Sequence, residues 1–143
     1  MAKSIAFIGV PSRDIVYYIG RLLRICGQEV LIVTYQEGEE NEYQPSYYMG
    51  LDWLTCSKEW LQMHEEILGE YSYALYELEV SEVALYNDTY IMFDYIVGIT
   101  NLYKKVMEQI AQAILGYNRK CNLIVRDICS KRLDLSLIHI SEP

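Results

Sequence analysis

The chain has 143 residues, 12 of them basic and 20 acidic, and a formal net charge of −8. An acidic chain without a basic cluster is poorly suited to nucleic acid or anionic lipid, because both are recognised by Lys and Arg neutralising phosphate. The 14 tyrosines would serve base stacking only beside positive charge; without it they read as half-buried packing positions on strands and helices.

No stretch approaches the ~20 apolar residues of a membrane span, and the run Ser4–Val10 after Lys3 is too short for the apolar region of a signal peptide. Cys26, Cys56, Cys121 and Cys129 form no CxxC and sit mostly in apolar contexts, as reduced core cysteines do. A cytoplasmic protein is the natural reading.

In chain order, Ser4–Val10 (SIAFIGV) is apolar almost throughout, as a strand covered on both faces should be. Pro11–Asp14 is a short loop with Ser12 placed to cap a helix over Ile15–Ile25, whose inner face would carry Ile15, Tyr18, Ile19, Leu22 and Leu23. Gly27 stops that helix, and Glu29–Tyr35 (EVLIVTY) is a second buried strand. Strand, tight loop, helix, glycine and strand within about thirty residues make a βαβ unit.

The polar, acidic segment Gln36–Ser46 reads as a solvated surface loop, or as a contact for a basic partner. Tyr48–Leu54 suits a short edge strand. Ser57 caps a helix over Lys58–Leu68, with Trp60, Leu61, His64, Ile67 and Leu68 inward. Tyr73–Val80 and Thr89–Val97 are further strands, separated by a turn at Asn87-Asp88. Leu102–Leu115 is an amphipathic helix with Leu102, Val106, Met107, Ile110, Ala111 and Ile114 in phase. Gly116 and Asn118 end it, and Cys121–Ile128 is another strand. Alternating strands and helices predict an α/β fold, a mainly parallel sheet with helices on both faces.

The last nine residues, Leu135–Pro143 (LSLIHISEP), match residue for residue one reading frame of a transposase adapter used in preparing DNA libraries. They are set aside as a fusion scar would be. The expectation is a single α/β domain over Met1–Asp134, forming the N-terminal part of a larger domain whose last strands lie further on.

In an open parallel sheet, ligands sit beyond the carboxyl ends of the strands, which directs attention to Gly9-Val10-Pro11-Ser12-Arg13-Asp14. A phosphate loop of the form GxxxxGK[ST] needs glycines for wrapping amides, a lysine for the β and γ oxygens and a hydroxyl for Mg²⁺. This loop has one glycine and no lysine, and Asp14 in the first helical turn opposes an incoming phosphate. A GxGxxG dinucleotide motif is absent as well.

The order strand, loop, helix, Gly-x-x-VLIV, then YSYALYEL, IMFDYIVGITNLYKKVMEQI and NLIVRDI, resembles the ParA/MinD group of P-loop ATPases over nearly all of Lys3–Asp127. The resemblance implies a P-loop-NTPase-like fold in which Gly9, Ser12, Arg13 and Asp14 occupy the nucleotide loop. Arg13 is the one basic residue near the family lysine's place. Thr34 stands where the second strand should end in an acid, Glu77 falls near the Walker B acid, and Arg126-Asp127 fall near the base-contacting end of a strand. The family's lysines have no counterpart, so a degenerate member is implied. Such relatives resemble the ATPase-like localisation factors of pilus and secretion systems.

Each of these residues also has an ordinary reading. Glu77 fits a metal-coordinating acid or a polar strand position, and Arg13 an anion contact or a partner for a neighbouring acid. Asp94, inside an apolar strand, belongs at the sheet's mouth or in a pair, since burying it alone is costly. Arg126 and Asp127 either flank a strand end or touch a ligand, and Lys104-Lys105 are solvated. With His139 set aside, His64 is the single histidine, which leaves no basis for His-based acid–base, triad or zinc chemistry.

The expectation is therefore a module without cofactor or metal that does not hydrolyse nucleotide and recruits a protein partner, with a homodimer compatible. The alternatives are an ATP/Mg-binding ATPase with an unconventional phosphate loop, or a receiver-like flavodoxin-fold domain in which Asp14 and Glu77 would echo an acidic site.

Overall fold

The computed structural model describes residues 2–36, 44–79, 93–115 and 121–126. Among these residues seven strands form one sheet: β1 (Lys3–Gly9), β2 (Val30–Tyr35), β3 (Ser46–Tyr48), β4 (Leu51–Cys56), β5 (Tyr73–Glu79), β6 (Tyr95–Thr100) and β7 (Cys121–Val125). Their order is β3-β4-β2-β5-β1-β6-β7. All pairings are parallel except that of β3 with β4. The helices among the described residues are α1 (Arg13–Ile25), α2 (Lys58–Met63) and α3 (Lys104–Leu115), with a 3₁₀ turn over Glu65–Glu70.

Apolar residues alternate between two cores. Phe7, Val30, Ile32, Leu75 and Ile99 pack under Val16 of α1 on one face. Ala6, Ile8, Leu31, Val33 and Leu54 pack with Leu61 of α2 on the other. The strands are apolar at consecutive positions because both faces are covered.

The predicted βαβ unit closes differently from its simplest form. β1 and β2 do not pair; β5 lies between them, with Leu75 opposite both Ile5 and Ile32. This excludes the receiver-like alternative, since in the flavodoxin order the first strand lies between the second and third. The edge strand expected over Tyr48–Leu54 is instead a hairpin. Met49 (φ 53) and Gly50 (φ 83) make its turn, with the two successive positive φ values of a type I′ turn, so β3 is the edge and β4 is interior.

Of the expected inner face of α1, Ile15, Ile19 and Leu23 pack against the core, while Tyr18 and Leu22 are corrected. Val16 and Gly20 are buried, whereas Tyr18 and Leu22 are 64% and 62% exposed. The helix is rotated because Gly20 lets it approach Leu51 and Ile32 closely. Its end follows expectation. The Gly27 (φ 86) amide donates to the Arg24 carbonyl and the Gln28 amide to that of Leu23, a Schellman stop.

The helix expected over Lys58–Leu68 breaks at His64. The His64 ring Nδ1 is bonded to the Trp60 carbonyl, 2.8 Å away, the acceptor an α-helical His64 amide would use. That amide turns to Leu61 instead, and a 3₁₀ turn follows. In α3, Ile110 is buried and Val106 half-buried, whereas Met107 and Ala111 are exposed; Leu102, also exposed, precedes the helix. The turn at Asn87-Asp88 and residues 127–143, Asp127 and the adapter-like tail included, lie outside the described residues.

Candidate functional site

β1 delivers the chain to the carboxyl end of the sheet and ends at Gly9. A Cβ on Gly9 would stand inside 3.0 Å of the Ile99 carbonyl, and its φ is +142. The glycine therefore answers a need of the β1–β6 junction, where the Val10 amide donates to the Ile99 carbonyl at 3.0 Å. Ser12 stands at the N-cap of α1 as expected, but its side chain makes no capping bond and is buried; its carbonyl accepts from Val16 instead.

The next two residues reach in different directions. Arg13 Nε donates to Glu77 Oε2 at 3.3 Å and Nη2 to Oε1 at 3.5 Å, a loose pair with 63% of the arginine side chain exposed. Glu77 lies on the α1 face of β5, opposite Phe7 and Thr34. Asp14 takes both Nη1 and Nη2 of Arg126, the former at 2.6 Å. Arg126 Nη1 also donates to the Pro11 carbonyl at 3.3 Å, and the Arg126 amide to Thr100 at 2.6 Å. The forked hydrogen bond from Arg126 holds the Asp14 carboxyl below its ordinary value against partial burial, and Asp14 raises Arg126 in return.

Of the residues expected at the site, Gly9, Ser12, Arg13, Asp14, Glu77 and Arg126 thus gather at one mouth. Asp94 does not. It precedes β6 at the amino end of the sheet, where its Oδ2 accepts from the Ser4 amide at 2.8 Å and its own amide donates to Ser4 Oγ at 3.0 Å. It is exposed and outside the strand, so the burial that motivated both readings does not arise. Asp127 is outside the described residues.

Sequence reasoning missed two features. Lys58 is 5% exposed in the first turn of α2, directly beyond β4. An open groove of about 530 Å³ runs from Arg13, Asp14 and Tyr17 on α1 to Trp53 and Thr55 on β4 and to the hairpin at Tyr48 and Met49. Its only sequence signal was the tyrosine-rich run Tyr47-Tyr48 ahead of a glycine.

These residues differ from a phosphate loop in three respects. The loop amides have no flexible glycine beyond Gly9, the carboxylate of Asp14 occupies the helix N-terminus, and Arg126 ties the loop down. Among the described residues no group of three or more His, Cys, Asp or Glu side chains could hold a metal. No helix among them is long and apolar enough to cross a membrane.

The architecture is that of a P-loop-NTPase-like α/β protein. The kinase domain of the Escherichia coli tyrosine kinase ETK is similar in structure, with a TM-score of 0.59 over 90% of this chain and 69% of that one, at 12% sequence identity. At such identity the likeness concerns the fold alone. No family model matches the chain, and no curated protein does.

Proposed function

We propose that this domain is a non-hydrolysing binding or regulatory module that recruits a protein partner, a degenerate relative of the ParA/MinD group. The Arg126–Asp14 pair carries the reading. An anion arriving at the N-terminus of α1 would have to take Arg126 from Asp14 and then sit beside the carboxylate left uncompensated. The loop is closed by an internal ion pair where the family closes it on phosphate.

The outer face of α1 supports a protein partner. Tyr18, Leu22 and Ile25 are 64%, 62% and 73% exposed on successive turns, where a solvated helix would carry charge. A scaffold of this kind would position other machinery in the cytoplasm, as the localisation factors of pilus and secretion systems do.

The test is turnover and calorimetry with Mg-ATP and Mg-GTP on the full-length protein. The expected result is no hydrolysis above the blank and no saturable heat. Turnover that Arg13→Ala abolishes would overturn the reading. It would establish instead a nucleotide site built on Arg13 and the loop amides, which the loose Arg13–Glu77 contact favours.

A further inference from the structure

We infer that the groove between α1 and the β3–β4 hairpin is a binding site for a small aromatic acid, a planar ring carrying one carboxylate. The rings of Tyr17 and Trp53 lie nearly parallel, 13° apart with centroids at 6.4 Å. Their polar ends are already used: Tyr17 Oη donates to the Met49 carbonyl at 3.3 Å, and Trp53 Nε1 to that of Tyr48 at 2.8 Å. What the rings offer a ligand is therefore flat apolar surface. The same two bonds hold Met49 at φ 53, a conformation uncommon for a side-chain-bearing residue, so the hairpin wall is set before any ligand arrives. A space of about 530 Å³ lies within the range of small-molecule sites.

Charge selects among flat ligands. Arg13 and Arg21 stand one turn to either side of Tyr17 on α1. Arg13 grips Glu77 loosely. The Arg21 guanidinium lies against Gly50 and makes no ion pair among the described residues. The Asp14 carboxylate is saturated by Arg126. Asp52, beside Trp53, lies on the other face of the sheet, where it accepts from Tyr71 at 2.8 Å. Among the described residues that line the groove, Arg13 and Asp14 are the charged ones, and Asp14 is already taken by Arg126. A ligand carboxylate can take the Nη1 of Arg13, which the Glu77 contact through Nε and Nη2 leaves unused, while an ammonium finds the Asp14 carboxylate already occupied. The groove shares Arg13 and Asp14 with the mouth, and probes that carry no phosphate read it apart from nucleotide binding.

The experiment titrates the full ¹⁵N-labelled chain with phenylacetate, benzyl alcohol and phenethylamine, following the Trp53 indole N–H and the Met49 amide. Phenylacetate should shift both signals saturably. Benzyl alcohol should bind about tenfold more weakly, the worth of one charge-assisted hydrogen bond, and phenethylamine more weakly still. Arg13→Gln should bring phenylacetate down to the level of the alcohol. Tyr48→Ala, at an exposed position, should weaken all ring-bearing probes. The inference is overturned by the absence of saturable shifts, by phenethylamine binding as tightly as phenylacetate, or by an Arg13→Gln chain that binds phenylacetate unchanged.

Discussion

Replacing Gly9 by alanine tests whether this glycine serves the sheet or a ligand. The new methyl group would press on the Ile99 carbonyl, which is backbone and cannot swing aside, and reach Ile110 Cδ1 as well. A φ of +142 in a residue with a side chain costs about 1–3 kcal/mol, and overpacking a rigid wall costs about 1–3 kcal/mol more. The middle of that range, about 4 kcal/mol, is a large share of the ~5–15 kcal/mol that holds a domain folded. Urea unfolding reads it directly: with a slope of about 1–3 kcal/mol per molar, the midpoint should fall by about 2 M. Gly27→Ala is the control. It also has positive φ, but nothing lies within 4 Å of the added methyl, so only about 1 kcal/mol is expected from losing the helix stop. A Gly9→Ala midpoint within about 0.5 M of the parent, or a Gly27→Ala loss of equal size, would refute the close-packing account.

Two further outcomes follow from the ionisable groups. Arg126 lowers the Asp14 carboxyl below its ordinary 3.8, so the pair contributes stability above that value and loses it as pH falls through the lowered one. With the Asp14 side chain 46% exposed, the parent should exceed Asp14→Asn by about 1 kcal/mol or less near pH 7, the gap closing below pH 4. A gap that persists unchanged to pH 2 would show that the pair is not its source. Burial pushes the Cys56 thiol up to about 11, whereas Cys26 is exposed. A thiol reagent at pH 8 followed by peptide mapping should therefore label Cys26 in the native chain and Cys56 only after denaturation; native labelling of Cys56 would contradict its burial.

Much of this architecture was legible because it is local. The runs Ser4–Val10 and Glu29–Tyr35 announce covered strands by their unbroken apolar character. Ser57 caps α2 as read, its Oγ accepting from the Trp60 amide at 3.1 Å, and Gly27 ends α1. These features depend on residues within a turn or two of each other, and periodicity records them. The outward Tyr18 and Leu22 were misplaced for a related reason. An apolar residue in phase with a helix looks the same in sequence whether it faces the core or solvent.

The site was legible only as a collection of residue types. Nothing in Asp14 or Arg126, 112 positions apart, says that they meet. Their pairing exists because β6 lies beside β1 and β7 beside β6, which brings the end of β7 over the start of α1. The same ordering separated Asp94 from the mouth, since it places the beginning of β6 at the beginning of β1. Local apolar pattern and turn chemistry determined the strands, the helices and their stops. The sheet order, the need for glycine at position 9 and the self-paired charges of the mouth were decided by tertiary structure, because each rests on contacts between segments far apart in the chain.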